Sequence, residues 1–332
     1  MFPRSISPLL YVAGLLACVP LLADAQDKPK PLSPAELPGK GLSQHDFFYA
    51  GESKEARMYI VRGGKIVWSY THPAKGEISD ATWLSNGNVL FAHQSGVTLI
   101  DSDKKVLWHY EAPAGCETHT AQPIGKDHLW FIQNGIPSKL VVVRISDGKT
   151  VREFPLPVGN PAGTHGQFRH ARLTPSGTLL VSHMDLGKIA EYDISGKELW
   201  SYAVPSPWSA SQLPSGNLLV TSNQHFVREI NRKGETIWEF TPADAPDYKL
   251  PNFQVATRLS NGNTLVNNWL NQWSDQLDPT NKPVQAVEIT PEKKIVWALR
   301  AWDSPADLGP STIIQLLDQP GAPENVKFGD IE

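Results

Sequence analysis

The sequence predicts an all-β chain folded as a six-bladed β-propeller of four-stranded antiparallel blades. Three observations carry this. A short hairpin motif recurs along the chain, an aromatic residue returns at intervals of 40, 46, 46, 38 and 59 residues, and no stretch carries an apolar stripe of helical period.

The hairpin motif is clearest in residues 81–90, 171–180, 210–219 and 256–265. Each reads as a strand, an Asn-Gly or Ser-Gly turn, and a second apolar strand. A weaker copy spans 121–130, with Lys126 and Asp127 in the turn. A second hairpin follows in residues 97–108, 189–200 and 227–238, so each repeat holds four strands. The fourth strand carries the aromatic: Trp68, Trp108, Phe154, Trp200, Trp238 and Trp297. Repeats of this length with four strands are propeller blades, and six aromatics make six blades. The first blade lacks its own inner strand, since 45–49, 58–61 and 66–70 match second, third and fourth strands. Residues 311–316 supply the missing strand and close the ring, which removes the last open sheet edge.

The ends set the domain organisation. Arg4, the apolar stretch 9–22 and Ala23-Asp24-Ala25 read as a signal peptide over 1–25, cleaved before Gln26, so the chain is expected in the periplasm or secreted. Gly14 and Pro20 interrupt the stretch, which is too short for a transmembrane span. An alternative is a lipoprotein box ending at Cys18, against which the following Val-Pro-Leu-Leu stays apolar. Residues 26–44 read as a Pro-rich linker, 45–317 as the propeller and 318–332 as a C-terminal tail.

Composition narrows the partners. With 30 Lys+Arg against 34 Asp+Glu and a net charge of −4, the chain is not basic enough for sequence-independent nucleic-acid binding. Its two cysteines cannot build a disulfide scaffold, and cleavage leaves Cys116 alone. The expected partner is a small molecule or oligosaccharide bound by a monomer, with no cofactor.

Propeller topology gathers the inter-blade loops and the loops after each second strand around one channel mouth. Six residues beyond each hairpin turn stand His93, Gln133, His183, Ser222 and Asn268, and one further on Gln94, Asn134, Met184, Asn223 and Trp269. The inner strands begin near Asp80, His119, Arg169, His170, Trp208, Gln254 and Ser311. Histidine titrates near neutral pH, so His93, His119, His170 and His183, with Arg169, form the catalytic candidates. Asp80, Gln133, Asn134, Trp208, Asn223, Gln254, Asn268, Trp269 and Trp273 form the ligand-binding candidates. Tryptophan beside amide side chains suits a sugar or aromatic ring, by offering an apolar face with lateral hydrogen bonds. Glu117 and Asp185 could orient imidazoles but read as solvated loop charges. The loops 155–169, with His165, and 269–283 are candidate walls or lids. No calcium loop or His-Glu-x-x-His motif occurs, and no metal ligands are assigned.

The pattern Ala-x-x-Leu-x-Asn-Gly-Asn-x-Leu, followed by apolar-Asp-x-x-Gly-Lys-x-x-Trp-x-Tyr, resembles the repeats of bacterial arylsulfotransferase-like propellers. Its second half is similar to pyrroloquinoline-quinone-like propellers, and the resemblance covers most of 58–299. The first family implies a histidine that accepts a sulfuryl group, a placement that His119-Thr-Ala and His170-Ala-Arg match locally. The second family's quinone dehydrogenases typically have eight blades and a cysteine pair beside the cofactor, whereas this chain has six blades and one mature cysteine, so no quinone is expected. Three functions follow. The first is a propeller that binds a small polar ring-bearing ligand, a carbohydrate above all, at the mouth. The second is a His-dependent enzyme at the same site, by sulfuryl transfer or as a carbohydrate lyase or hydrolase. The third is a cell-envelope scaffold for other proteins.

Overall fold

The computed structural model describes residues 30–51, 55–73, 76–272 and 276–332. The proposed signal peptide and Trp273 lie outside the described residues. The rest forms six four-stranded antiparallel sheets, with only three short 3-10 turns beside them. Blade 1 joins Phe47–Gly51, Arg57–Arg62 and Lys65–Thr71 to the C-terminal strand Ser311–Leu316. In that closure Phe48 pairs with Gln315 and Ala50 with Ile313. Blades 2 to 6 begin with the inner strands Ile78–Trp83, Glu117–Ile124, Phe168–Leu173, Pro207–Gln212 and Phe253–Arg258. Both the six blades and the shared closing blade match the sequence expectation.

The recurring turn explains its glycine. Gly87 donates its N–H to the Leu84 carbonyl (3.0 Å) while Leu84 donates to Asn88 (2.8 Å). The resulting tight loop needs a left-handed residue at Gly87, whose φ is 86°. The same bonds recur at Gly177, Gly216 and Gly262. Middle strands such as Val89–His93 are buried throughout, because blades cover both faces. Outer strands such as Lys65–Thr71 alternate half-buried with exposed positions.

The fourth-strand aromatics stitch one blade to the next. The indole N–H groups of Trp68, Trp200 and Trp238 donate to the carbonyls of Ser102, Arg232 and Pro291, each in the neighbouring blade's last turn. Phe154 has no such donor and packs on Gly196 instead, where a Cβ would stand 2.6 Å from the ring. Trp297 of blade 6 donates to Gly41, in the segment that precedes blade 1 (2.8 Å).

Two segments expected outside the propeller lie on it. In the Pro-rich stretch, Leu37 and Leu42 pack into the cores of blades 5, 6 and 1, and Pro38 accepts a bond from the Ala298 N–H. Residues 318–332 form a strap over the hairpin turns. Gln319 accepts from Ser260 of blade 6, Glu324 from Ser85 of blade 2, Val326 from Gly125 of blade 3, and Gly177 of blade 4 from Gly329. Phe328 anchors it, fully buried between blades 3 and 4. Both segments carry aliphatic or aromatic residues at spacings too irregular to read as strands. No described helix is long and apolar enough to cross a membrane.

Candidate functional site

The inner strands share a defect that builds the site. In blades 2 to 6 the pairing register with the second strand shifts near the start of the inner strand. The shift skips Ser79, His119 with Thr120, Arg169 with His170, Trp208, and Gln254 with Val255. A bulge frees a residue from strand alternation and re-aims its side chain. Ser79, His119, Arg169 and Trp208 are thereby turned towards the mouth, where they meet Glu77 and Glu117.

A cavity of about 400 Å³ opens there, lined by Glu77, Gln94, Glu117, His165, Arg169, Trp208, Trp269 and Asn271. One wall is aromatic. The Trp208 and Trp269 ring centroids are 5.6 Å apart, and the Arg169 guanidinium lies 5.1 Å from the Trp208 ring. Trp269 is buried, and its indole N–H has no hydrogen-bond partner among the described residues.

The other wall is a carboxylate–imidazole network. Buried His119 sets Nδ1 2.7 Å from Glu77 and 3.0 Å from the Ser79 hydroxyl. Its Nε2 lies 2.9 Å from Glu117 Oε2. The same Glu117 oxygen lies 2.8 Å from His165 Nδ1, and the Gln94 amide donates to the other oxygen (3.0 Å). Burial alone would raise both carboxyls. The hydrogen bonds and charge of His119, helped by Arg169 and His165 at Glu77 and by His165 and Gln94 at Glu117, instead hold both well below the usual carboxylate range. The His165 loop is pinned, because Asn134 donates to Thr164 and Arg169 donates to the His165 carbonyl (3.1 and 2.7 Å). Asp185 accepts from the N–H groups of Gly159 and Asn160, so it anchors this loop and does not orient His183. The loop is a fixed wall.

Below the mouth lies a polar plug. Asp80 takes two hydrogen bonds from Arg172 (2.8 and 3.0 Å) and one from Thr120 (2.9 Å). Burial would raise this carboxyl, but Arg172 and His170 hold it down to about 2. His170 Nδ1 stands 3.7 Å from Asp80, beyond hydrogen-bond reach, and burial lowers that imidazole. Asp80 and His170 therefore serve the interior of the channel, and neither lines the cavity.

The remaining candidates are placed elsewhere. His93 of blade 2 stacks on His109, packs at a tilt against His72 at the end of blade 1, and contacts Ser95 and Thr98. His183 shares a hydrogen bond with the Tyr192 hydroxyl of its own blade (2.9 Å). Gln133 bonds Tyr110 and Pro137, and Asn268 bonds Lys249 and Val284. Second-strand side chains point at neighbouring blades, not at the channel, so these polar groups satisfy loops. Gln254 is buried in the inner strand of blade 6, and Asn223 is half-buried after the second strand of blade 5. Of the candidates, His119, Arg169, Trp208 and Trp269 come together. Glu77 was not anticipated, and Glu117 and His165 carry more than expected. Glu77 stands just before an inner strand, a position that the same counting from the hairpin turns would have reached.

The fold and mouth define a six-bladed propeller with an aromatic and carboxylate–imidazole cavity. No family model matches the chain, and no curated protein matches it. Solved structures do. A protein of unknown function from Bacteroides caccae is 25% identical with a TM-score of 0.72, covering 81% of this chain and 97% of that one. A streptogramin B lyase is 15% identical with a TM-score of 0.53, covering 78% of this chain and 85% of that one. A catalytically inactive histidine-to-alanine virginiamycin B lyase from Staphylococcus aureus, solved with quinupristin, is 17% identical with a TM-score of 0.53, covering 79% and 88%. These likenesses support the propeller and carry the arylsulfotransferase and quinone resemblances no further than the fold.

Proposed function

We propose that the chain captures a small polar ring-bearing ligand, a carbohydrate above all, in the mouth cavity. The Trp208–Trp269 pair carries this reading. Two indoles with centroids 5.6 Å apart on one wall of the cavity offer the apolar face on which a ring stacks. Glu77, Glu117, Gln94 and Asn271 supply the lateral hydrogen bonds that a sugar ring needs. Calorimetry over a panel of plant and bacterial oligosaccharides tests it. Binding should appear in the parent protein and fall at least about tenfold in Trp208→Leu or Trp269→Leu. Affinity that ignores both substitutions would remove the site from the mouth.

A catalytic reading has its own observation. Glu117 fixes the ring of His165, whose side chain is 54% exposed, as a carboxylate orients a general base. The two lyases that share the fold, one inactivated by a single histidine replacement, make proton abstraction the first chemistry to assay. Sulfuryl transfer is disfavoured, because two ionised carboxylates repel an aryl sulfate. Turnover should fall far more than binding in Glu117→Gln, because the amide still hydrogen-bonds a ligand but no longer holds His165 as a carboxylate does. The scaffold reading has less support. The exposed aliphatics Val67, Val106, Leu107, Ile136, Leu186, Leu199, Ile237 and Val296 are distributed over all six blades and are not gathered on one. The proposal includes export with cleavage before Gln26, which N-terminal sequencing of the mature protein checks.

A further inference from the structure

We infer that the mouth holds a divalent cation of the zinc class, bound by Glu77, His119 and His165. Donor atoms of these three side chains lie within 4.8 Å of one another. Two imidazoles and one carboxylate suit zinc, cobalt or nickel better than calcium or magnesium, which favour all-oxygen sites. Tetrahedral zinc with bonds of about 2.0–2.2 Å sets its donors about 3.4 Å apart, so the exposed His165 side chain moves inward while Glu77 and His119, 2.7 Å apart, separate slightly.

Glu117 supplies the second observation. A metal-bound histidine almost always donates its other ring N–H to a carboxylate, a backbone carbonyl or a water, which fixes the tautomer and orients the lone pair. One oxygen of Glu117 sits 2.9 Å from His119 Nε2 and 2.8 Å from His165 Nδ1, so a single carboxylate backs both imidazoles. His119 then faces the ion through Nδ1, beside the Glu77 oxygen 2.7 Å away. His165 turns its other ring nitrogen to the same ion. Three protein ligands leave a fourth position open to the cavity, as in a catalytic zinc site and unlike a closed structural one.

The use of such an ion rests on the mouth-site reading above, but its binding is read with the metal alone. The chelator-treated protein is titrated with Zn2+, Co2+ and Ca2+ by calorimetry, with the visible absorption of the Co2+ form as a second readout. One Zn2+ or Co2+ should bind per chain, and Ca2+ should not compete. His165→Ala, on an exposed loop that need not disturb folding, should weaken Zn2+ at least about 100-fold and abolish the Co2+ bands. Glu117→Gln should weaken it about 10- to 100-fold. Trp208→Leu should leave metal affinity unchanged. Absent Zn2+ and Co2+ binding, a preference for Ca2+, or undiminished affinity in His165→Ala would each overturn the site. Metal binding without any saccharide binding would overturn the ligand reading alone.

Discussion

The two ends of the channel are built on opposite principles. At the mouth, bulged inner strands release polar side chains that bond mainly to one another, around open space. At the lower end, tight hairpin turns meet a strap whose backbone and side chains bond across four blades, with Phe328 sealed in the core. One end spends strand regularity to aim chemistry, and the other spends chain length to hold the ring. The difference implies that stability and recognition can be damaged separately.

The strongest test of that separation is Phe328→Ala. Emptying a fully buried aromatic site should cost about 3–5 kcal/mol in denaturant unfolding, while ligand and metal binding by the folded fraction stay unchanged. Lost binding at the mouth would break the comparison. Between the two ends, Asp80→Asn leaves Arg172 without its carboxylate partner and should cost about 3 kcal/mol. Acid sharpens the contrast further. Burial pushes His183 down to about 4, so it stays neutral in the fold where the unfolded chain takes up a proton. Its contribution is therefore complete above about pH 6.5 and is lost as pH falls towards 4, by roughly 3 kcal/mol. His93, pushed down to about 3 by burial with His72 and His109, adds a loss of the same sign. Thermal midpoints between pH 7.5 and 4 should fall, and less steeply in His183→Gln. The mouth carboxylates act in a lower window. With folded values below the usual range, their stabilisation holds above about pH 4.5 and is lost only beneath it. The smallest effect on stability belongs to His165→Ala, within about 0.5 kcal/mol by thermal unfolding, although it should remove metal binding.

The fold was legible because propeller blades leave repeated, local signatures. Four glycines occupy a conformation that other residues adopt poorly, and short strands, the second of them apolar, bracket each of them. The blade-closing strand 311–316 was readable because the first blade visibly lacked one. The site was legible only at the inner strands. Counting located the start of each, and hence His119, Arg169 and Trp208. The count gave equal weight to second-strand ends, where His93 and His183 are bonded to side chains of their own blades. Nothing in the residue pattern announces a bulge, which depends on pairing with another strand. Glu117 looked like a solvated charge for the same reason, since its partners Gln94 and His165 are 23 and 48 residues away.

Buried Asp80 and its partner Arg172 plug the channel between its two ends. A second cavity, lined in part by Gln122, Arg172, Gln319 and Pro323, opens on the strap side of that pair. The molecule is thus a well and not a tunnel. Whatever descends past Trp208 and Trp269 must climb out the same way, so departure of one guest precedes arrival of the next. A polymer cannot be threaded through such a vessel and can offer it only a terminus or a side branch.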